Sequence, residues 1–430
     1  QSVLTPMPDV YFQNVEIIDA SGRDPFPGHV LVEGQRIRSV HEGPPERQAA
    51  DTELIDGQGN LYLMPGLVES HAHLSIEDTD DLAKLGAIPP EEHTLLTMRN
   101  AKLYLDYGIT SCLSAASAKP RLDLVIRNAI EAGQIPGPRL LAATPWLTVT
   151  GGLGDMRTLH QPTIESMALM ADGPEEFRRL SRELIREGVD IVKLVVSVDA
   201  FVPHAGSETT VMSEAEVAAA AEVVHAHGKR MSAHARSAES VKRCVRHRVK
   251  VIYHANFADE EAMDMLQANR DWVFISPNIG FTVTAIYDGA AMFTPEQVEA
   301  MGLREELEGA AKGLQELKRR GVRILGGGDY GFALTPHGQN ANDIAHLIDH
   351  AGFTPMEALQ SMTKHGGAAM DRPDDLGQIL PGFLADLILV DENPLENPRH
   401  LTDRKHLIAV MKDGSFHKQP DPSKVSPQVT

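Results

Sequence analysis

Two histidines at i and i+2, His71-Ala72-His73, follow the stretch Pro65-Gly66-Leu67-Val68-Glu69-Ser70. In an extended strand such residues face the same way. Two imidazoles then converge on one point and suit a metal ion; a solvated pair at a strand end is the competing reading. Lys193 lies inside the apolar run Ile191-Val192-Lys193-Leu194-Val195-Val196. An ammonium is costly to bury there, so its amine is either neutralised or modified, or it snorkels to the rim. His234 ends Arg230-Met231-Ser232-Ala233-His234, His254 ends Val251-Ile252-Tyr253-His254, and Asp329 follows Ile324-Leu325-Gly326-Gly327-Gly328. The chain has 19 histidines and only two cysteines, Cys112 and Cys244, so any metal ligands are expected to be imidazole and carboxylate rather than thiolate. Both cysteines read as inert core thiols.

These residues need a scaffold that gathers them. Eight short β-like segments, residues 67–69, 110–113, 139–143, 191–196, 230–233, 251–253, 273–276 and 323–325, alternate with helical ones. The helices carry start and stop signals: Ser213-Glu214-Ala215-Glu216 as a capping box, Thr294-Pro295 and Thr354-Pro355 as capped starts, Gly188 and Gly228 as ends. The alternation predicts an α/β protein with a (β/α)8 TIM barrel, a doubly wound open sheet being the alternative. In a barrel the C-terminal strand ends meet at one mouth, where active sites are built. Any one of the six residues could be structural, but together they are hard to place at strand ends by chance.

Residues 1–65 and the segment after 372 also read as short strands, including a hairpin around Glu33-Gly34-Gln35-Arg36. Each end alone has too few strands to bury a face. The expected division is therefore a small β-sandwich domain built by both ends (1–65 and 373–420), the barrel at 66–372, and a polar tail at 421–430. The 40 Lys and Arg stand against 60 Asp and Glu, a net charge of −20 over 430 residues. Such a surface repels phosphate backbones and anionic lipid, so neither nucleic acid nor membrane is expected as a partner. No apolar run reaches the roughly 18 residues of a membrane span. The sequence opens Gln1-Ser2-Val3 without Met; the expected location is soluble, cytoplasmic or exported after loss of an upstream leader.

The entry Pro65-Gly66-Leu67-Val68-Glu69-Ser70-His71-Ala72-His73 and the exit Gly377-Gln378-Ile379-Leu380-Pro381-Gly382-Phe383-Leu384-Ala385-Asp386-Leu387 resemble the amidohydrolase superfamily in its binuclear form. The resemblance implies two divalent metal ions, with zinc expected. His71, His73 and Asp329 would hold the more buried ion, and His234 and His254 the more exposed one. Lys193 would be carboxylated by carbon dioxide and bridge the two. The implied chemistry is amide hydrolysis by a metal-bridging hydroxide, with Asp329 moving the proton to the leaving amine.

Within the superfamily the chain is similar to the imidazolonepropionase-like peptidases that cleave dipeptides and N-acyl amino acids at a C-terminal residue. The implied substrate is a small-molecule amide with a free carboxylate, including ochratoxin A-like amides that release phenylalanine. Cyclic-amide hydrolysis or deamination on the same scaffold is the alternative, and a non-enzymatic assembly protein a remote one. A homo-oligomer is implied, an octamer among the options. The group's Thr-Gly-Gly-His-Gly-Asp is here Thr150-Gly151-Gly152-Leu153-Gly154-Asp155, and its Tyr two residues after the strand-five histidine is Arg236. A guanidinium there would face the same side as His234 and grip a carboxylate by two parallel bonds, unless a neighbouring acid claims it. His337, in Pro336-His337-Gly338, would contact substrate or orient a backbone. His225 and His227 close a helix and are read as dipole partners or solvated residues. Segments 74–94 and 278–301 are expected to wall the mouth, the second with Phe281, Ile286, Tyr287, Met292 and Phe293.

Overall fold

The computed structural model describes residues 8–289 and 292–425. Five strands open it: β1 (Val10–Ile17), β2 (Phe26–Glu33), β3 (Arg36–His41), β4 (Glu53–Asp56) and β5 (Tyr62–Pro65). Ten follow: β6 (Leu67–Ala72), β7 (Ile109–Ser114), β8 (Arg139–Leu141), β9 (Trp146–Thr148), β10 (Ala168–Met170), β11 (Ile191–Val195), β12 (Arg230–Ser237), β13 (Val251–Phe257), β14 (Phe274–Ser276) and β15 (Arg323–Ile324). Three close it: β16 (Leu387–Val390), β17 (Leu407–Lys412) and β18 (Ser415–Lys418).

The two ends share one sheet, in the order β18-β17-β16-β5-β1-β2-β3, with β4 beside β1. The seam between the ends is antiparallel, Leu387 opposite Pro65 and Leu389 opposite Leu63. Alternation sorts the side chains of β16. Leu387 and Leu389 join the chain-end core with Phe12, Ile17 and Leu63, while Ile388 and Val390 face the main core. The hairpin expected around Glu33-Gly34-Gln35-Arg36 is formed by β2 and β3. Of the tail expected at 421–430, Val425 packs into the chain-end core, and residues 426–430 lie outside the described residues.

Each of the eight central segments expected to be a strand is one. They run parallel as β6-β7-β8 and as β11-β12-β13-β14-β15. Isolated parallel bridges, Ala143 with Ile191 and Ala72 with Tyr330, join the two sheets at both seams. From β11 to β15 the spatial order follows the chain, without the reversal that a doubly wound sheet requires. β6, β7 and β11 are buried at every position, as befits strands covered on both faces. One element was not anticipated. The short parallel pair β9 and β10 extends the sheet beside β11, with Leu147 opposite Leu194; three-residue strands carry too little pattern to be seen in sequence.

The connecting helices begin where their caps predict. Ser213 and Glu216 form a reciprocal capping box, as do Thr354 and Glu357. Gly188 closes its helix at φ 108°, a conformation costly for any residue with a Cβ. Cys112 on β7 and Cys244 on the helix Ala238–Arg246 are buried and free. Among the described residues, no helix is long and apolar enough to cross a membrane.

Candidate active site

Strand register brings the chemistry together. Val195 lies beside His234, and Ala235 beside His254, so β11, β12 and β13 deliver Lys193 and both histidines to one region. The Ala72–Tyr330 bridge does the same for His71, His73 and Asp329. His71 Nε2 is 3.3 Å and His73 Nε2 3.1 Å from the same oxygen, Asp329 Oδ1. The His234 and His254 ring centroids are 4.4 Å apart, and His71 lies 5.8 Å from His254. Lys193 Nζ sits 3.8 Å from the centroid of the Tyr253 ring, and its residue is 1% exposed. All six candidate donors are thus gathered. His337 and Arg236 are not placed with them in the same way, as described below.

The donor chemistry fits divalent ions. His234 Nε2 and both ring nitrogens of His254 are buried with no hydrogen-bond partner, and His73 Nε2 and Asp329 Oδ1, also buried, face each other at 3.1 Å. Orphaned lone pairs of this kind are costly unless something binds them. Burial, reinforced by Arg236 beside His234 and His254, pushes the His234, His254 and His71 imidazoles well below their usual range, so they stand as neutral donors. Burial raises the Asp329 carboxyl, but His71, His73 and Lys193 outweigh it and hold it ionised below the carboxylate range. Burial lowers the Lys193 amine to about 7, with Asp329 opposing. His71, His73 and Asp329 offer ligand atoms within 4.8 Å of one another.

A polar layer behind these donors orients them, and sequence reading passed it over. Asn278 Nδ2 meets both His71 Nδ1 and the Gly327 carbonyl. Glu69 accepts from the His71 backbone N–H at 2.8 Å and from Asn340 at 2.8 Å. Burial lifts its carboxyl to about 8. Gly327 and Gly328 have no room for a Cβ, which would lie 2.6 Å from Ser70 Oγ and 2.3 Å from the Tyr330 ring respectively. His254, Asn278 and Asp329 all adopt positive φ, of 77°, 56° and 64°. Such strain in non-glycine residues clusters where surrounding structure imposes it, often at functional sites. Asn278 could have been found by the strand-end rule that found the others, since it stands two residues past β14; its amide simply does not titrate.

A cavity of about 360 Å³ opens above the donors. Asp80, Asp199 and Arg236 share its lining with Leu82, Trp146, Leu153, Phe201, Phe281, Met292, Phe293 and Phe332. Phe281 stands edge-on to Phe201 and to Phe332, at 5.6 and 6.2 Å. Segment 74–94 contributes Asp80 and Leu82, and segment 278–301 contributes Phe281, Met292 and Phe293. Ile286 and Tyr287 do not line it: Ile286 packs on the core, and Tyr287 is exposed and stacks on His350.

Arg236 reaches the cavity with one arm already engaged. Its Nη1 pairs with the buried Glu306, which also accepts from Asn256. Its Nε is buried without a partner. Asp199 lies in the same field, its carboxyl raised by burial against the pull of Arg236. His337 does not line the cavity. Its Nε2 donates to the Ile76 carbonyl at 2.7 Å and its backbone N–H to Asp78 at 2.9 Å, which commits it to holding the loop after β6. His225 and His227 bond the His247 and Val223 carbonyls, away from the cavity.

Comparison with known proteins shows the family to which the chain belongs. The amidohydrolase family profile matches residues 62–416. Ochratoxinase of Aspergillus niger is 24% identical over 376 residues, 83% of this chain and 76% of that protein. Its crystal structure superposes with a TM-score of 0.81 at 22% identity, covering 98% of both chains. Imidazolonepropionase of Vibrio vulnificus is 24% identical over 415 residues, 90% of this chain and 92% of that one. A Xaa-Pro dipeptidase with methionine bound in its active site gives a TM-score of 0.82 at 24% identity, over 95% of this chain and all (100%) of that one.

Proposed function

The chain belongs to the amidohydrolase family and is a hydrolytic enzyme acting on amide bonds, and we propose that it cleaves the amide joining an acyl group to a C-terminal amino acid. Its substrates are N-acyl amino acids, dipeptides or ochratoxin A-like amides. The observation that carries this is the set of six donors, with their unpartnered buried atoms, beneath an apolar cavity that also holds Arg236. The names of the relatives, an ochratoxinase and a Xaa-Pro dipeptidase, support the same substrate class. On this view the eight parallel strands make one closed barrel at 66–372, and residues 1–65 and 373–420 one β-sandwich domain; the two bridged seams support that closure.

His71, His73 and Asp329 would hold one divalent ion, and His234 and His254 a second. The neutral Lys193 amine would add to carbon dioxide, lose a proton and become an anionic carbamate between them. When bound, such ions supply Lewis-acid polarisation of a carbonyl and acidify water. Asp329 accepts the proton of the attacking water and passes it to the nitrogen of the leaving amine. Asn278 and Glu69 fix the His71 ring and backbone while this occurs. Arg236, held by Glu306, lines the cavity and is the cation that would meet the substrate carboxylate. The Phe201, Phe281 and Phe332 wall receives an aromatic or bulky apolar group, whose burial is worth about 2 kcal/mol. His337 steadies the loop after β6 rather than the substrate.

The test is a screen of N-acyl amino acids, dipeptides and ochratoxin A with amino-acid release as readout. Release is expected from substrates with a free carboxylate and an apolar partner group. Failure on every free-carboxylate substrate would retire both the substrate class and the role given to Arg236.

A further inference from the structure

The connection from β16 to β17 gathers a second group of donors, none of which lines the cavity. Asp391 and Glu392 follow β16 directly. His400 lies in the 3-10 turn Pro398–Thr402, and His406 immediately precedes β17. The two imidazoles stack with centroids 4.4 Å apart and planes 15° from parallel. His400 Nδ1 meets Glu392 Oε2, and His406 Nδ1 lies 2.8 Å from Asp391 Oδ1 and 3.6 Å from Glu392 Oε1. The ligand atoms of Glu392, His400 and His406 all fall within 4.8 Å of one another.

We propose that Glu392, His400 and His406, with Asp391 as the fourth donor, form a separate structural site for zinc or a similar imidazole-seeking divalent ion. The donor set decides the class of ion. Two ring nitrogens with two carboxylates suit zinc, whereas magnesium and calcium prefer oxygen alone. Tetrahedral zinc, with ligands at about 2.0–2.2 Å, spaces its donors about 3.3–3.6 Å apart; the His406–Glu392 separation is 3.6 Å, and the closer His406–Asp391 and His400–Glu392 pairs would open to admit the ion. Asn397 lies 2.6 Å from His400 Nε2; with its amide turned so that Oδ1 accepts from Nε2–H, the ring is fixed and Nδ1 is left as the lone-pair atom facing the carboxylates. That Nδ1 is buried against Glu392 Oε2.

One divalent ion would neutralise two carboxylates that the rings otherwise meet only through single contacts. Arg399, in the same turn, pairs with Asp349 of the helix Asn342–Ala351 at 2.6 Å. A bound ion would therefore staple the β16–β17 connection where it meets that helix.

Zinc content per chain tests this in full-length protein carrying His71→Ala and His73→Ala, so that loss of the active-site donors is already counted. After zinc loading and dialysis, adding His400→Ala and His406→Ala is expected to remove one further zinc per chain. Glu392→Gln, nearly isosteric, is the second variant and is expected to weaken that zinc at least tenfold. In otherwise wild-type protein, the His400→Ala/His406→Ala pair should lower the zinc-loaded Tm and leave amide turnover unchanged. Equal zinc content with and without the pair, or undiminished zinc in the Glu392→Gln variant, overturns the site. Neither result depends on which amide the enzyme cleaves.

Discussion

The proposed chemistry turns on Lys193. It is fully enclosed, its amine brought down to about 7 by burial, and its neighbours are His234, Asp329 and the Tyr253 ring. A charged lysine is costly in that place, where a cation–π contact and the Asp329 charge offset the loss of water. Lys193→Ala should therefore lower bound divalent metal and cut turnover by more than the roughly 10–100-fold typical of losing an outer partner of a metal site. Metal analysis beside a steady-state assay checks it; a variant with wild-type metal and turnover would remove the bridging carbamate. At this scale the candidate donors were legible because each is a titratable residue within or just after a short strand-like run. Glu306 was not. It lies 70 residues from Arg236 on the helix Leu303–Arg319, and only tertiary packing brings the two together. The sequence foresaw that a neighbouring acid could claim this guanidinium, but had no local signal for which one.

At the scale of elements, the strand–helix alternation and its caps were readable because period and punctuation are local properties. Ser213, Thr354 and Gly188 each act where their side chains dictate. The β9–β10 pair and the positive φ values of His254, Asn278 and Asp329 were not readable, because neighbouring elements impose them. Asp123 shows how an element interior carries its own pH dependence. It opens the helix Leu122–Glu131, is wholly buried, and accepts from Ser114 at 2.5 Å and Ser75 at 3.3 Å. Burial lifts its carboxyl to about 6 in spite of those donors. A raised folded-state pKa means that the native chain binds the proton more tightly. Its stabilising contribution is then fully present below about pH 4 and is lost as pH rises through about 6. Asp123→Asn deletes this titration. The stability difference between wild type and variant should shift by about 3 kcal/mol across that window and stay level above it. Denaturant midpoints at a series of pH values read the shift, and a difference independent of pH would contradict it.

For the whole molecule, the net charge of −20 describes the shell and not the site. The cavity floor carries Lys193 and Arg236 among Asp80, Asp199 and Asp329. Two divalent ions there would make it locally positive, so an anionic substrate is compatible with an acidic protein. The shared sheet explains why the chain's two ends must be read together: β16 completes a face that β1 and β5 cannot bury alone. Everything proposed about catalysis rests on divalent ions among His71, His73, Lys193, His234, His254 and Asp329. The most direct measurement is therefore elemental analysis of the purified protein alongside its amidase activity, before and after chelation. The expected result is two divalent ions per chain for the catalytic site beside the one proposed at Glu392, His400 and His406, with activity abolished by chelation and restored by zinc. Less than one ion per chain, with full activity after chelation, would contradict the account.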